Sequence, residues 1–118
     1  MDRFDLENRT KRFAVEVIRF SETLKPGRAN DVIVRHLIES SSLIGASYRE
    51  AASAESRDDL IEELNISSKE AARTEYWLEL LNDLRQLPDL PPLLKEADEL
   101  RGILTASVRT VRAGKPRQ

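Results

Sequence analysis

The stretch Ser-Ser-Ser-Leu-Ile-Gly-Ala-Ser-Tyr-Arg-Glu-Ala, residues 40–51, predicts most about the fold. Six of its first eight residues are serine, glycine or alanine, and such small side chains let a neighbouring backbone approach closely. Gly45 in a helix interior costs about 1 kcal/mol relative to alanine, so we expect close packing there to compensate. Residues suited to a core recur at helical spacing around it, at Ile33, Leu37, Ile44, Tyr48 and Ala51. The stretch therefore predicts a helix with a close neighbour.

Breaks on both sides of this helix divide the chain into four helical segments. Proline, glycine and turn-forming polar residues cluster at residues 25–28, 53–58, 87–92 and 114–116. The intervening patterns predict helices at about residues 8–24, 30–54, 58–86 and 90–113. Because the connections are short, we predict an all-α fold, an antiparallel up-down-up-down four-helix bundle. We expect one domain, residues 1–114, followed by a short basic tail, residues 115–118.

Capping residues and prolines indicate where the second, third and fourth helices begin. Asn30 or Asp31 is the expected N-cap of the second helix, because a short polar side chain can accept a hydrogen bond from the first turn. Ser56 is the expected N-cap of the third. Pro91 and Pro92 suit the first turn of the fourth, where a missing N–H is not needed.

Composition excludes several classes of protein. The 118 residues include no cysteine, which excludes disulfides, thiolate catalysis and zinc–sulfur sites. No apolar run approaches the roughly 20 residues of a membrane span, and the charged start of the chain lacks the apolar stretch of a signal peptide. We therefore expect a cytoplasmic protein with no membrane partner.

Little in the sequence suggests catalysis. A di-metal bundle site needs Glu-x-x-His pairs, but the only histidine, His36, follows Ile33 at that spacing. The run 40–42 offers hydroxyl groups without a base placed to activate them, and no glycine-rich phosphate loop is present. We expect no enzymatic activity, no metal and no cofactor.

Charged residues within small and apolar neighbours suggest a polar network between the second and third helices. Unpaired charges are costly to bury, so we expect such groups to pair across helices. The candidates are Tyr48, Arg49, Glu50, Glu70 and Glu75. The favoured interpretation is a network that fixes helix register, and the alternative is a catalytic carboxylate pair.

The third helix carries large or apolar side chains on more than one face, which indicates burial on two sides. Tryptophan and tyrosine are favoured as interface anchors, although a tryptophan on a bundle helix can equally belong to the core. The candidate subunit interface comprises Arg73, Tyr76, Trp77 and Leu80.

Charge is distributed unevenly within the overall net charge of −2. Residues 61–100 carry ten acidic and four basic residues, whereas residues 101–118 carry five basic residues and no acidic one. The basic end is either a solvated helix terminus that complements the helix dipole or a nucleic-acid contact. The candidate contacts are Arg101, Arg109, Arg112, Lys115 and Arg117.

Three groups of residues together resemble a known family. The first runs from Ser42 to Ala51 and continues as Ala54-x-Ser56-x-Asp58, the second is Lys69-Glu70-Ala71-x-x-Thr74-Glu75-Tyr76-Trp77-Leu78, and the third is Arg9-Thr10-x-x-Phe13-Ala14. They are similar to the bacterial four helix bundle protein family, also called the 23S rRNA intervening-sequence protein family. The chain departs from the usual pattern at Ser47, where the family has asparagine, and at Ser42-Leu43.

The resemblance implies a bundle that assembles as a ring-like homopentamer without established enzymatic activity. The related accessory proteins of diversity-generating retroelements are similar in fold and bind nucleic acid and a reverse transcriptase through a basic surface. We therefore expect a non-enzymatic, homo-oligomeric scaffold or accessory protein, with a nucleic-acid-binding module as the alternative. The sequence does not identify a protein partner.

Overall fold

Four α-helices account for most of residues 1–114, the part of the chain that this computed structural model describes. They are α1 (Arg3–Ser21), α2 (Arg28–Ala51), α3 (Arg57–Leu84) and α4 (Leu90–Arg112). Within residues 1–114 there is no strand, and the helices pack side by side in a body of 51 × 21 × 20 Å. The predicted all-α four-helix bundle is confirmed. α2 with α3 and α3 with α4 form the most extensive pairs, and of the four neighbouring pairs α1 with α4 is the least extensive.

The seam between α2 and α3 is built from small polar side chains. Thr74 Oγ1 donates to Ser40 Oγ at 2.8 Å, and Ser67 Oγ donates to the carbonyl oxygen of Ile44 at 2.7 Å. Residue numbers rise along one helix as they fall along the other, so the two helices are antiparallel. All three hydroxyl-bearing residues are buried, and these bonds satisfy groups that would otherwise be costly to bury.

The seam between α3 and α4 is also antiparallel, and two polar contacts mark it. The hydroxyls of Ser68 and Thr105 lie 2.9 Å apart, and Arg101 Nε donates to Glu75 Oε1 at 2.7 Å. Ser68 and Glu75 each follow directly after a residue of the α2 seam, Ser67 and Thr74, and consecutive residues lie about 100° apart around a helix. The two seams thus use adjacent faces of one helix, which explains the multiple faces of its sequence pattern.

α1 packs closely against α2 at Gly45. A Cβ atom added there would lie 3.0 Å from Thr10 Oγ1 and 3.4 Å from Thr10 Cβ. Thr10 is fully buried, and its hydroxyl bonds the carbonyl oxygens of Leu6 at 2.9 Å and Glu7 at 3.0 Å. The predicted close packing at Gly45 is therefore confirmed.

The apolar core fills the space between these seams. Its fully buried large side chains come from all four helices, and they are Phe13, Val17, Leu37, Ile44, Leu78, Leu81, Leu90, Leu100 and Leu104. A smaller cluster of Ala51, Leu64 and Val108 closes one end. Within residues 1–114, no helix is both long enough and apolar enough to cross a membrane.

The first helix begins at Arg3 rather than at about residue 8, because a capping box precedes it. Asp2 Oδ1 accepts a hydrogen bond from the backbone N–H of Asp5 at 2.9 Å, and Asp5 Oδ2 faces the N–H of Asp2 at 3.5 Å. The helix ends at Ser21 rather than at about residue 24, since the next residues form a tighter turn.

The start of α2 differs from the predicted capping by Asn30 or Asp31. Gly27 is the N-cap, and no side chain caps the helix. Asn30 instead donates to the carbonyl oxygen of Lys25 at 2.8 Å and accepts from the Arg85 guanidinium, which joins the start of α2 to the end of α3. Asn30 is buried, so its amide serves a tertiary contact rather than a local one.

The remaining boundaries differ by a few residues at most. α2 ends at Ala51 rather than at about residue 54, and α3 ends at Leu84 rather than at about residue 86. Ser56 caps α3 as predicted, because its Oγ accepts the N–H of Asp59 at 3.0 Å. In α4, proline occupies the first turn as predicted.

Alanine substitutions at two glycines test the α1–α2 contact. Gly102 lies inside α4, and a Cβ there would meet nothing within 4 Å, so Gly102→Ala should stabilise the fold by about 1 kcal/mol. Gly45→Ala has the same intrinsic gain but meets Thr10, which is fully buried and hydrogen-bonded, so we expect it to be neutral or destabilising. Urea unfolding at one protein concentration measures both.

The substitution Thr10→Ala provides the internal check. It removes the hydroxyl nearest to the added Cβ, so Gly45→Ala should be less harmful in that background than in the wild type. Equal stabilisation by Gly45→Ala and Gly102→Ala in the wild-type background would contradict the close contact.

Candidate functional site

One long side of the bundle combines apolar, aromatic and acidic side chains. We define the α2–α3 edge as His36, Leu43 and Glu50 of α2 with Glu63, Ile66, Glu70, Arg73, Trp77, Leu80 and Leu84 of α3. The α2 members are spaced by seven residues, and the α3 members by three or four, so each set lies on one helical face. Ser68 and Glu75, which face α4, lie on the other flank of α3.

Trp77 lies in the middle of this edge and stacks on its own chain. Its ring is parallel to that of His36 within 4°, with centroids 4.2 Å apart, so the two rings join α2 to α3. Trp77 and Leu80 also pack against the core while remaining half-buried. The tryptophan is therefore partly core, and its remaining surface is available on the edge.

The other members of the candidate interface have different surroundings. Tyr76 is 55% exposed and meets the Trp77 ring edge-on, with centroids 5.3 Å apart. Arg73 is exposed and lies one turn from Trp77 on the same face. Ile66 and Leu84 extend the apolar surface along α3, and Leu84 is 53% exposed. These two were absent from the sequence-based interface, although their spacing of 11 and 7 residues from Trp77 indicated the same face.

Glu70 is a buried carboxylate with half of its hydrogen-bonding capacity unused. Only 9% of the residue is exposed, and its Oε2 accepts from Arg73 Nη1 at 3.3 Å. Its Oε1 is buried and has no hydrogen-bond partner within residues 1–114. A buried acceptor without a donor is costly, so this oxygen calls for an explanation.

Glu63, two turns earlier on the same face, also has a carboxylate oxygen without a hydrogen-bond donor in residues 1–114. Its Oε1 is buried and has no hydrogen-bond donor within the described chain. Burial, followed by the nearby carboxylate of Glu50 on α2, raises the pKa of Glu63 above its usual value. The edge thus holds three carboxylates, of which two have a buried oxygen without a donor.

The predicted network of Tyr48, Arg49, Glu50, Glu70 and Glu75 is not assembled as one group in residues 1–114. Tyr48 points toward the core, where burial and then the charge of Glu7 raise its pKa. Arg49 and Glu50 follow at 100° steps around the helix and are exposed. Glu70 bonds Arg73 on its own helix, and Glu75 bonds Arg101 on α4.

A different ion-pair group joins α1 to α4, and sequence reasoning missed it. Arg9 forms a bidentate pair with Glu96, with Nε–Oε2 and Nη2–Oε1 distances of 2.7 and 2.8 Å, and its Nη2 also donates to Glu99 at 2.7 Å. The bonds to Glu96 hold the pKa of Arg9 above its usual value. The only sequence signal is that Glu96 and Glu99 share one helical face.

The candidate nucleic-acid contacts fall into three environments. Arg101 is already engaged, because it donates to Glu75 and, at 2.5 Å, to Asp98 Oδ1, and the bond to Glu75 raises its pKa. Arg109 and Arg112 are exposed on the last turn of α4. Lys115 and Arg117 lie outside the described residues.

Arg109 and Arg112 border a shallow groove of about 270 Å³ between α3 and α4. Its other lining residues are Asn65, Ser68, Thr105 and Val108, most of which carry hydrogen-bonding groups. Arg57 supports this end of the bundle, because its guanidinium donates to the carbonyl oxygens of Val111 at 3.1 Å and Arg112 at 2.8 Å.

The residues considered for catalysis have structural surroundings. Ser40 Oγ donates to the carbonyl oxygen of His36 at 2.7 Å and accepts from Thr74, so its hydroxyl serves the helix seam. Within residues 1–114, no three His, Asp or Glu side chains are grouped so that they could hold a metal ion.

Comparison with solved structures identifies a protein of the same architecture. The crystal structure, at 1.70 Å resolution, of a protein of unknown function from the S23 ribosomal protein family of Bacteroides thetaiotaomicron superposes with a TM-score of 0.83. The two sequences are 31% identical, and the match covers 92% of this chain and 99% of that one. No curated protein matches the chain.

A family model gives the same assignment from sequence. The model described as 23S rRNA-intervening sequence protein matches residues 3–106, which include all of α1, α2 and α3 and most of α4. The chain therefore belongs to the 23S rRNA-intervening sequence protein family.

Proposed function

We propose that the protein is a non-catalytic subunit of a cytoplasmic homo-oligomer, a ring-like pentamer that serves as a scaffold or accessory. The observation that carries this proposal is the α2–α3 edge. On this edge, the exposed side chains of Ile66 and Leu84 and the solvent-facing part of Trp77 lie on one face of α3 over several turns. Exposed apolar side chains around an aromatic residue, with polar groups among them, are typical of a protein–protein interface.

The distribution of exposed apolar side chains favours specific self-association over non-specific aggregation. Phe4, Val15, Val32 and Leu43 are exposed on α1 and α2, and Ile66, Tyr76 and Leu84 on α3. Within the described residues, α4 exposes no large apolar side chain. The α4 side of the bundle is therefore suited to face solvent, whereas the α1, α2 and α3 sides offer apolar side chains for contact with another subunit. A small domain gains buried area by assembling in this way.

The subunit number rests on the family resemblance, and the non-catalytic role rests on the surroundings of the polar groups. Ser40, Glu75 and Arg101 are engaged in holding helices together. The hydroxyls in the small-residue seam bond to backbone or to one another, which leaves no activated nucleophile there.

A double substitution on the exposed part of the edge tests the assembly. Ile66→Arg with Leu84→Arg places two charges in the proposed interface while leaving the core intact, since both side chains are more than one-third exposed. We expect the oligomer to dissociate to a folded 13.4 kDa chain. Light scattering after size exclusion measures the mass, and circular dichroism measures the helix content.

Ala106→Arg with Thr110→Arg is the matched control, because both residues are exposed on α4 and the same two charges are introduced there. It should leave the mass unchanged. The lone Trp77 gives a second readout, since assembly should bury it further and shift its emission to shorter wavelength. An unchanged mass for the double variant would refute the placement of the interface on this edge.

A second candidate function is nucleic-acid binding, and the groove beside Arg109 and Arg112 favours it. Two exposed guanidinium groups lie there with Asn65, Ser68 and Thr105, side chains that commonly contact phosphate and sugar. In a ring, equivalent grooves would act together and raise the apparent affinity. The basic tail, residues 115–118, would add to the charge.

Salt titration with paired variants tests this second function. If the groove contacts phosphates, Arg109→Ala with Arg112→Ala should weaken RNA binding and lower the salt slope by about 2, one for each contact. Lys95→Ala, on an exposed part of α4 remote from the groove, should change little. Equal affinity and equal salt slope for both proteins would exclude the groove as the contact.

A further inference from the structure

The two buried carboxylate oxygens of the α2–α3 edge need donors that residues 1–114 do not provide. Oε1 of Glu63 and Oε1 of Glu70 have no hydrogen-bond partner there, although Arg73 already bonds the other oxygen of Glu70. Leaving buried acceptors unpaired costs stability, and charged acceptors cost most. A donor from outside the chain would remove this cost, and a cation would do so best.

A surface with two cations and one carboxylate, Glu7, lies on the outer side of α1 and α2, and Arg3 of the same chain pairs with that carboxylate. We define the Lys11–Arg49 face as the shallow depression of about 220 Å³ lined by Glu7, Lys11, Gly45, Ala46 and Arg49. Lys11 and Arg49 are exposed, and neither forms an ion pair within residues 1–114. Val15, exposed one turn after Lys11, adds an apolar contact point.

The two surfaces lie at the same height along the bundle. Gly45 meets Thr10, the residue before Lys11, and the neighbouring Ile44 meets Ser67 on the far side of α2. Ser67 lies between Glu63 and Glu70, which are each about one helical turn, roughly 5.4 Å, away. In a ring whose axis follows the helices, rotation preserves height, so Lys11 and Arg49 of one copy come level with these carboxylates of the next.

We infer that neighbouring copies join head to tail, with the Lys11–Arg49 face of one copy seated on the α2–α3 edge of the next and its cations meeting Glu63 and Glu70. This inference rests on the proposed homo-oligomer. A symmetric pairing of two α2–α3 edges would instead bring like carboxylates together, which is unfavourable. A head-to-tail contact uses two different surfaces on each copy, and repetition around an axis closes a ring.

Charge reversal on the basic face tests the pairing. Lys11→Glu with Arg49→Glu should raise the concentration for half-assembly by about tenfold or more, because two attractive contacts become repulsive. The matched control, Lys95→Glu with Arg19→Glu, makes the same charge change on exposed positions of α4 and α1 outside both surfaces and should assemble like the wild type. Light scattering across a dilution series measures both, and circular dichroism verifies folding.

The decisive experiment restores charge complementarity between the two surfaces within one chain. A chain that carries Lys11→Glu with Glu63→Lys has opposite charges on its two surfaces again, so every interface of the ring should re-form. Lys95→Glu with Glu63→Lys should not assemble. Rescue only in the first chain supports the inference, and rescue in both or in neither overturns it.

Glu63→Gln separates the inference from a purely structural role of this carboxylate. The neutral side chain should raise the stability of the unassembled chain, because it removes a buried charge that lacks a donor, and should weaken assembly. A Glu63→Gln protein that assembles at least as tightly as the wild type would contradict the inferred contact.

Failure of the inference is distinguishable from failure of the proposed function. If wild-type protein is a monomer at every concentration, the homo-oligomer itself is refuted. If the wild type assembles and the Lys11→Glu, Arg49→Glu protein assembles equally well, the oligomer stands and only the head-to-tail pairing of these surfaces is refuted.

Discussion

The close approach of α2 to both of its neighbours is the constraint on which the rest of the bundle depends. On one side Gly45 lies against Thr10, and on the other Ser40 and Ile44 meet Thr74 and Ser67 through hydrogen bonds. Side chains this small bring helix axes near one another and leave little room for larger groups between them. The aromatic pair His36 and Trp77 consequently lies at the flank of the seam, where it forms the centre of the α2–α3 edge.

The polar groups of the molecule divide according to the seam they occupy. Between α1 and α4, Arg9 satisfies Glu96 and Glu99, and between α3 and α4, Arg101 satisfies Glu75. On the α2–α3 edge, by contrast, Glu63 and Glu70 keep buried oxygens without donors. Carboxylates in these two seams are therefore paired with arginine from another helix, whereas two on the edge keep a buried oxygen without a donor from residues 1–114.

This contrast connects the fold with the proposed assembly. In the proposed assembly, the apolar side chains of the edge contribute buried area. The buried oxygens of Glu63 and Glu70 favour a cation of the neighbouring copy at a defined position. Apolar contact is non-directional, whereas ion pairing selects one partner surface and one register.

The number of helices, their approximate bounds and the small-residue seam could be predicted from the sequence because each depends on local chemistry. Proline and glycine interrupt a helix wherever they stand, and the spacing of Ile33, Leu37 and Ile44 marks one face regardless of the neighbour. The family could be recognised for the same reason, since its motifs in α2 and α3 are continuous stretches. Even so, the first helix begins about a turn earlier than predicted, because Asp2 and Asp5 form a capping box that the apolar spacing does not indicate.

The pairing of charges could not be predicted in this way. Arg9 meets Glu96 across 87 positions, and Glu75 meets Arg101 rather than a residue of α2. Such contacts depend on the rotation of each helix about its axis and on the relative heights of the helices. The spacing of apolar residues in the sequence determines neither of these. The same reason applies to Asn30, a good helix cap by local chemistry, which instead joins Lys25 to Arg85 because the end of α3 arrives beside it.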